Sequence, residues 1–369
     1  MTGTFERKSP VVKLAEANRD HIVGPDDRIL ITGAAGFMGP HVVEALLKRG
    51  FRKLRCLVRP TSDAGKLADL GRCNSAGAPV EVLRGNLLNA EDCAEAVRDV
   101  ALIYHLAAGR GEKAFPDAFI NSVVTTRNLL DAILRAGGLK RFVNVSSFAV
   151  YSNVGNPGGQ FLDESSPVEP QPARRGDAYT FAKVRQEEIV LEYGKRFGVP
   201  HVIVRPGVVY GPGNEAIHGR VGIAGFGLFL HLGGANTVPL TYVENCADAI
   251  VLAGLRPGVN GEVLNVVDDD LPSSRQFLRL YKRHVRPFRS IYVPHVVSYL
   301  LCLLWEKYSA WSEGQLPPVY NRARWRVSWK RTRYTNQKIK SLLGWSQRVP
   351  TSEALAKHFE SCRRKALNA

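Results

Sequence analysis

Between Arg28 and Gly39 the chain reads R-I-L-I-T-G-A-A-G-F-M-G, and no other stretch restricts the fold as tightly. Residues 28–32 form a short apolar run, the length of a buried strand. Gly33, Gly36 and Gly39 follow at three-residue spacing, and residues 41–49 carry apolar side chains at helical spacing up to Gly50. The glycines therefore sit where a strand becomes a helix. There they have three separate uses: a tight turn, close backbone approach to a pyrophosphate, and close helix–strand packing. The unpaired N–H groups of the helix start would then face phosphate. A second strand at 53–58 ends about twenty residues further on, as the dinucleotide-binding fingerprint requires.

That second strand ends in Arg59 rather than in the acidic residue that accepts hydrogen bonds from a ribose 2′-hydroxyl. Arg59, with Arg55 as a further candidate, is placed for a 2′-phosphate, so NADP is expected and NAD is the runner-up. Further strands are expected at 79–83, 101–106, 141–145, 199–205 and 261–267. A long helix is expected at 115–136 and another from 178 to Gly198. Strands alternating with helices give an α/β fold with a doubly wound parallel sheet. Residues 151–177, rich in Pro, Gly and Ser, read as a loop over the site.

Tyr179 and Lys183 lie four apart in the second of these helices and so share one face. A tyrosine near its ordinary pKa of ~10 is a poor base at neutral pH, and an ammonium one turn away favours the phenolate. The phenolic oxygen can then exchange a proton with a substrate oxygen while hydride moves. Ser147, at the end of the strand 141–145, is placed to hydrogen-bond the same oxygen.

Charge decides where a substrate would bind. The net charge of +16 falls entirely in residues 275–369, which hold twenty Lys and Arg against four Glu. Such a field suits an anionic partner: a phosphorylated substrate, an acidic membrane surface or nucleic acid. Basic residues interleave with Trp325, Trp329 and Tyr334 across 322–340, a pattern expected to close over an anionic substrate. Residues 291–305 are apolar but fall short of the ~18 residues of a spanning helix. They read as a core helix first and as an interfacial helix second. Residues 1–24 are a polar extension with a short helix expected near 11–19, and the absence of an apolar segment there argues against a signal peptide. Cys56, Cys73, Cys93, Cys246, Cys302 and Cys362 are scattered without a C-x-x-C, which suggests separately packed reduced thiols and a cytoplasmic setting.

Several pieces in order, Thr32–Gly39, His105-Leu106-Ala107-Ala108, Val145–Tyr151, Tyr179 with Lys183, Arg205–Gly213 and Leu343-Gly344-Trp345, resemble the extended short-chain dehydrogenase/reductase family, in its NAD(P)-dependent epimerase/dehydratase group. The resemblance runs over residues 28–350 or so. It implies a Rossmann domain (25–210, with 240–270 returning to it) and a smaller, discontinuous C-terminal substrate region (211–239 and 271–369). The implied catalytic set is Ser147, Tyr179 and Lys183. The implied cofactor site comprises Gly33, Gly36, Phe37, Met38, Gly39, Arg59, Asn86, Leu87, Leu106, Ala107, Ala108, Tyr179, Lys183, Pro206 and Val208, with no metal. Residues 240–253 with Asn245, and the apolar segment near 300, also resemble the 3β-hydroxysteroid dehydrogenase branch, while the tail is similar to epimerase-like proteins of polysaccharide biosynthesis.

There are departures from the family pattern. Asn86 stands where the family has Asp, Ser122 and Val123 follow Asn121 where Asn-Val is usual, and Phe148 and Ala149 replace the Asp-Glu pair of dehydratases. The expected activity is hydride transfer at a hydroxyl or carbonyl of a nucleotide-linked sugar. One alternative is a steroid or lipid-linked substrate taken at the inner face of a membrane, with contact through 291–305. The other is a non-catalytic dinucleotide sensor or nucleic-acid binder. A homodimer through 115–136 and 179–197 is expected.

Overall fold

Seven parallel strands carry the molecule in the computed structural model, which describes residues 21–73, 80–109, 114–153, 161–225, 227–313, 315–316 and 320–367. They are β1 (Arg28–Thr32), β2 (Leu54–Val58), β3 (Glu81–Arg84), β4 (Val100–His105), β5 (Arg141–Val145), β6 (His201–Pro206) and β7 (Val263–Val266). Their spatial order is β7-β6-β5-β4-β1-β2-β3, with every neighbouring pair parallel. Such strands are covered on both faces, which is why they read as unbroken apolar runs; Ile29, Leu30 and Ile31 are all fully buried. The order reverses between β1 and β4, and a crevice opens there at the carboxyl ends of the strands.

Helices α1 (Gly39–Leu47), α2 (Gly65–Cys73) and α3 (Ala90–Val97) follow the first three strands. The expected single helix at 115–136 is instead α4 (Phe115–Phe119), a π-helical turn (Ile120–Val124) and α5 (Thr125–Ala136). Side chains reorganise the backbone at this join: Thr125 Oγ1 donates to Asn121 O (3.1 Å), Thr126 Oγ1 to Ser122 O (2.5 Å), and Gly109 N to Ser122 Oγ (2.9 Å). Inserted turns of this kind recur at functional sites. Helix α6 (Ala178–Phe197) ends on Gly198, whose φ of +69° closes the last turn onto the carbonyls of Tyr193 and Gly194.

Helix α7 (Val243–Leu255), buried almost throughout, leads into β7 and shares one core with α1. A second core, on the other face of the sheet, holds residues of α3, α5 and α6. Beyond β7 come α8 (Ser274–His284), α9 (His295–Trp311), α10 (Arg322–Trp329), α11 (Gln337–Leu343) and α12 (Thr351–Leu367). A three-stranded sheet (Gly222–Gly225, Leu228–His231, Ser290–Tyr292) supports α9 and α10 from below. Ile339, Leu343 and Trp345 return to the core of the main sheet, and Asn245 holds Val349 by a reciprocal pair of hydrogen bonds near 3.0 Å.

The loop expected at 151–177 contains a strand pairing (Phe161–Leu162 with Arg333–Tyr334) and a 3-10 turn (Pro172–Arg175). The helix expected near 11–19, part of the strand expected at 79–83 and the side chain of Cys73 lie outside the described residues. The other five cysteines are buried free thiols. Among the described residues no helix is long and apolar enough to cross a membrane.

Candidate active site

The crevice between β1 and β4 continues into a cleft of about 920 Å³ that reaches the C-terminal helices. At its floor the glycines separate their duties as the spacing suggests. Gly33 has φ +67°, and a Cβ there would lie 2.8–3.0 Å from the backbone of Leu106 and Ala107, so only glycine lets β1 and β4 close at this point. Gly36 N donates to Gly33 O (3.0 Å) and closes the turn. Gly39 opens α1, where a Cβ would fall onto the backbone of Ala34. The first turn of α1 has no acidic residue and no side-chain cap, so its N–H groups stay available to an anion. This cradle fits a dinucleotide pyrophosphate.

Gly33, Gly36, Phe37, Met38, Gly39, Arg59, Asn86, Leu87, Leu106, Ala107, Ala108 and Val208 all line this cleft, together with Ser147, Tyr179 and Lys183. Pro206 does not; it is the buried last residue of β6, and Gly207 and Val208 take its place on the wall. Arg55 is also removed from the site. It sits at the amino end of β2, 4% exposed, with Nε on Glu81 (2.8 Å) and Nη1 on the carbonyls of Glu95, Ala96 and Arg98. Four residues along a strand are about 13 Å, so Arg55 cannot join Arg59 at the carboxyl end. Arg84 holds the Arg59 loop by donating to Pro60 O and Ser62 O (2.7 and 3.3 Å).

Ser147 leaves β5 half-buried, its Oγ accepting from Ala149 N (3.1 Å). Tyr179 lies in the first turn of α6, where the positive end of the helix dipole favours a phenolate. Lys183 is buried one turn on, with Nζ donating to Val145 O (2.7 Å) and to Gln186 Oε1 (2.8 Å). An ammonium has three donors, so one remains for a ligand in the cleft that Lys183 lines. Burial pushes its pKa down to about 8, partly offset by the nearby Glu187 carboxylate. That carboxylate is held by Arg205 through two bonds of 2.9 and 2.6 Å, and Arg205 lies over the Tyr151 ring at 4.8 Å. The pair fixes α6 against β6.

The sequence did not reveal Gln186. Fully buried, it accepts from Lys183 and donates to Thr126 Oγ1 (2.8 Å), while Thr126 Oγ1 and His105 Nε2 lie 2.8 Å apart. His105 Nδ1 in turn pairs with Thr32 Oγ1 (2.8 Å), at the end of β1. Burial and the Lys183 charge push the His105 pKa down to about 3, so this imidazole is neutral. A buried polar chain thus runs from the glycine loop to Lys183. Ser122, at the place of the family's asparagine, spends its hydroxyl on Gly109 N. Gln186 is the side chain that meets the lysine. Only the K-x-x-Q spacing within one helix could have hinted at it.

At the far end of the cleft the wall is basic. Arg175 donates to Ala149 O (2.6 Å) and Tyr151 O (3.4 Å). Burial, and the charges of Arg220 and Arg324, push its pKa down to about 10. All three arginines line the cleft, with Asp177 the sole acidic residue there among the described residues. Arg324 and Trp329 fall in the basic segment expected to close over a substrate; Arg175, in the loop before Tyr179, and Arg220 lie outside it. Where dehydratases carry an acid and a base stand Phe148, packed over Tyr334 at 5.7 Å, and Ala149. The cleft wall therefore lacks the groups for eliminating water at that point.

The model of the NAD dependent epimerase/dehydratase family matches residues 29–266. The chain is 29% identical to UDP-N-acetyl-alpha-D-glucosaminuronate decarboxylase of Bacillus cytotoxicus over 263 residues, 68% of this chain and 77% of that one. It is 25% identical to 3beta-hydroxysteroid-dehydrogenase/decarboxylase isoform 1 of Arabidopsis thaliana over 365 residues, 90% of this chain and 79% of that one. The crystal structure of UDP-glucuronic acid 4-epimerase from Bacillus cereus in complex with NAD shares its fold, with a TM-score of 0.67, 23% identity, and coverage of 92% of this chain and 99% of that one.

Proposed function

We infer the activity from the premise that this chain belongs to the NAD dependent epimerase/dehydratase family, enzymes of the extended short-chain dehydrogenase/reductase type. The reading we propose is hydride transfer at a hydroxyl- or carbonyl-bearing carbon of a nucleotide-linked sugar. One observation carries it: Ser147, Tyr179 and Lys183 line the same cleft as the glycine loop, beside a wall of arginines. The substrate named in the decarboxylase relative is of this class. The third expectation, a non-catalytic sensor or nucleic-acid binder, is set aside on family membership.

The glycine loop and the start of α1 would hold the pyrophosphate, and the third donor of Lys183 the nicotinamide ribose. Bound nicotinamide dinucleotide supplies and accepts the hydride. In oxidation Tyr179 takes the proton of the substrate hydroxyl as hydride leaves its carbon; in reduction it returns that proton. Ser147 hydrogen-bonds the same oxygen, and the Lys183 ammonium stabilises the phenolate. Segments 211–239 and 271–369, with Arg220 and Arg324, would take the diphosphate. The hydride is returned to the same sugar in an epimerisation or consumed in a net reduction. Phe148 and Ala149 argue against dehydration.

We propose NADP over NAD because Arg59 lines the cleft just past β2, where the sequence places no acidic residue at the strand's end. Tight NADPH binding, weakened at least tenfold in Arg59→Ala, is the expected fluorescence titration; equal affinity for NADH would refute that choice. Tyr179→Phe should lower turnover by about 10²–10⁴-fold with cofactor affinity unchanged; full activity would refute the catalytic set. Exposed Ile120, Leu134, Leu191 and Phe197, on the π turn, α5 and α6, support a homodimer through these helices. A cytoplasmic enzyme on a steroid or lipid-linked substrate at a membrane face is the second reading, favoured by the exposed apolar surface of α9.

A further inference from the structure

Helix α9 is built inside out. Its buried residues are Ser298, Cys302 and Ser309, none of them a large apolar side chain. Ser298 Oγ donates to His295 O (3.0 Å) and accepts from Trp325 Nε1 (2.9 Å), while Ser309 Oγ donates to Leu316 O. The opposite face carries Val297, Leu300, Leu301, Leu304, Tyr308 and Trp311, exposed between 45% and 76%. Their spacing of three and four makes one continuous stripe along the helix. The strand leading into α9 continues the theme: Ile291 and its cross-strand neighbour Leu230 are 55% and 40% exposed. Scattered exposed apolar residues need no explanation, but a contiguous run of this size marks a surface that something covers.

The cations that precede the stripe in sequence bear on what covers it, and two of them meet the strand that leads into it: Arg275 lies over the Tyr292 ring at 5.6 Å and Lys282 Nζ donates to Ser290 Oγ (2.6 Å). Residues 271–305 contain Arg275, Arg279, Lys282, Arg283, Arg286 and Arg289 and not a single Asp or Glu. Arg279, Arg283, Arg286 and Arg289 are exposed. Within α9 the lone carboxylate, Glu306, is held by Arg322 at 2.9 Å, and Lys307 stands exposed. A helix of 17 residues is about 26 Å long, too short to span a bilayer yet suited to lie along its surface. Tyr292, Tyr308 and Trp311 are aromatic side chains of the kind that settle at the headgroup level.

We propose that the exposed face of α9, with the strand Ser290–Tyr292, inserts into the headgroup–acyl boundary of an anionic membrane, while the cations of residues 275–289 contact its headgroups. The stripe supplies apolar area and the cations supply the attraction to acidic lipid, the two contributions a stable interfacial contact needs. Helix α10 lies between this surface and the cleft: Trp325 meets Ser298 on the α9 side, and Arg324, Val327 and Ser328 line the cleft. The contact would therefore place the cleft beside the lipid surface. It does not depend on which of the two substrate readings holds.

Sedimentation of the full chain with sucrose-loaded vesicles tests this. Vesicles of phosphatidylcholine with 30% phosphatidylglycerol should bind it at least tenfold more tightly than pure phosphatidylcholine, with most of the difference lost at 0.5 M salt. The double variant Leu300→Glu/Leu304→Glu should lose at least tenfold in binding, with cofactor affinity and Tm unchanged because both side chains are already in water. Arg283→Gln/Arg286→Gln/Arg289→Gln should lose the preference for phosphatidylglycerol but keep the weak residual binding. No binding to either vesicle would overturn the proposal. So would a wild-type dimer in solution that the Leu300→Glu/Leu304→Glu variant dissociates, since a second copy would then cover the stripe.

Discussion

Helices α6 and α9 both violate the rule that apolar side chains go in and polar ones out, and they do so in opposite senses. Helix α6 buries Lys183, Gln186 and Glu187. Each of these finds partners inside the molecule: Val145 O and Gln186 for the lysine, Thr126 for the glutamine, Arg205 for the glutamate. Helix α9 leaves Leu300, Leu301 and Leu304 exposed and turns Ser298 and Ser309 inward. A buried polar group without a partner costs free energy comparable to a lost hydrogen bond or more, so an inversion satisfied from within builds a site. An inversion of the other kind has no partner among the described residues and calls for one beyond them. The same departure from pattern therefore marks chemistry in one helix and contact in the other.

The largest expected effect breaks the internal side of this contrast. Arg205→Met should leave the Glu187 carboxylate buried and unpaired and destabilise the fold by about 3–5 kcal/mol, read as a lower midpoint in urea. The double variant Arg205→Met/Glu187→Leu should recover most of that loss; if it does not, the ion pair is not what holds α6.

A smaller effect sharpens the role of Gln186. Gln186→Leu removes the acceptor from the Lys183 ammonium and the donor to Thr126, at a cost of about 1–3 kcal/mol. With a Lys183 pKa of about 8 against an ordinary 10.5, the ammonium is lost as pH rises through about 8, and turnover should fall on that limb. Gln186→Leu should move the limb to lower pH, because the charged form loses a hydrogen bond. Gln186→Glu should move it to higher pH. A purely structural glutamine would leave the limb in place in both variants.

The same depressed pKa has a consequence for stability. The unfolded chain keeps the Lys183 proton up to about 10.5, whereas the folded chain releases it near 8. Between these values the unfolded state binds more protons, so this group's contribution to stability rises with pH. Urea midpoints of wild type and Lys183→Met from pH 7.5 to 10 should converge as the pH rises. Parallel curves would mean that the lysine is not desolvated.

The smallest expected effect belongs to α9. Leu304→Gln, at 62% exposure, should change stability by no more than about 0.5 kcal/mol. A loss of 2 kcal/mol or more would show that the stripe is packed within the chain and would remove its contrast with α6.

The parts of this protein legible from the chain alone are those encoded by near neighbours. The turn geometry of Gly33, Gly36 and Gly39 and the pairing of Tyr179 with Lys183 on one helix face depend on separations of three or four residues, which local backbone geometry sets directly. So does the alternation of strand and helix that leads to a parallel sheet. Folding decided the contacts across long separations. Gln186 meets His105 across 81 residues, and Arg175 reaches the carbonyl of Ala149 across 26. Arg55 lies within β2 and Arg59 just past its end, yet one end of the strand is sealed by Glu81 and the helix α3 carbonyls and the other opens on the cleft. For residues 291–305 the sequence favoured a core helix, and the structure reverses that reading. Hydrophobicity is a property of the residues, but burial is a property of their neighbours, and α10 and the small sheet cover only the face of α9 that holds Ser298, Cys302 and Ser309.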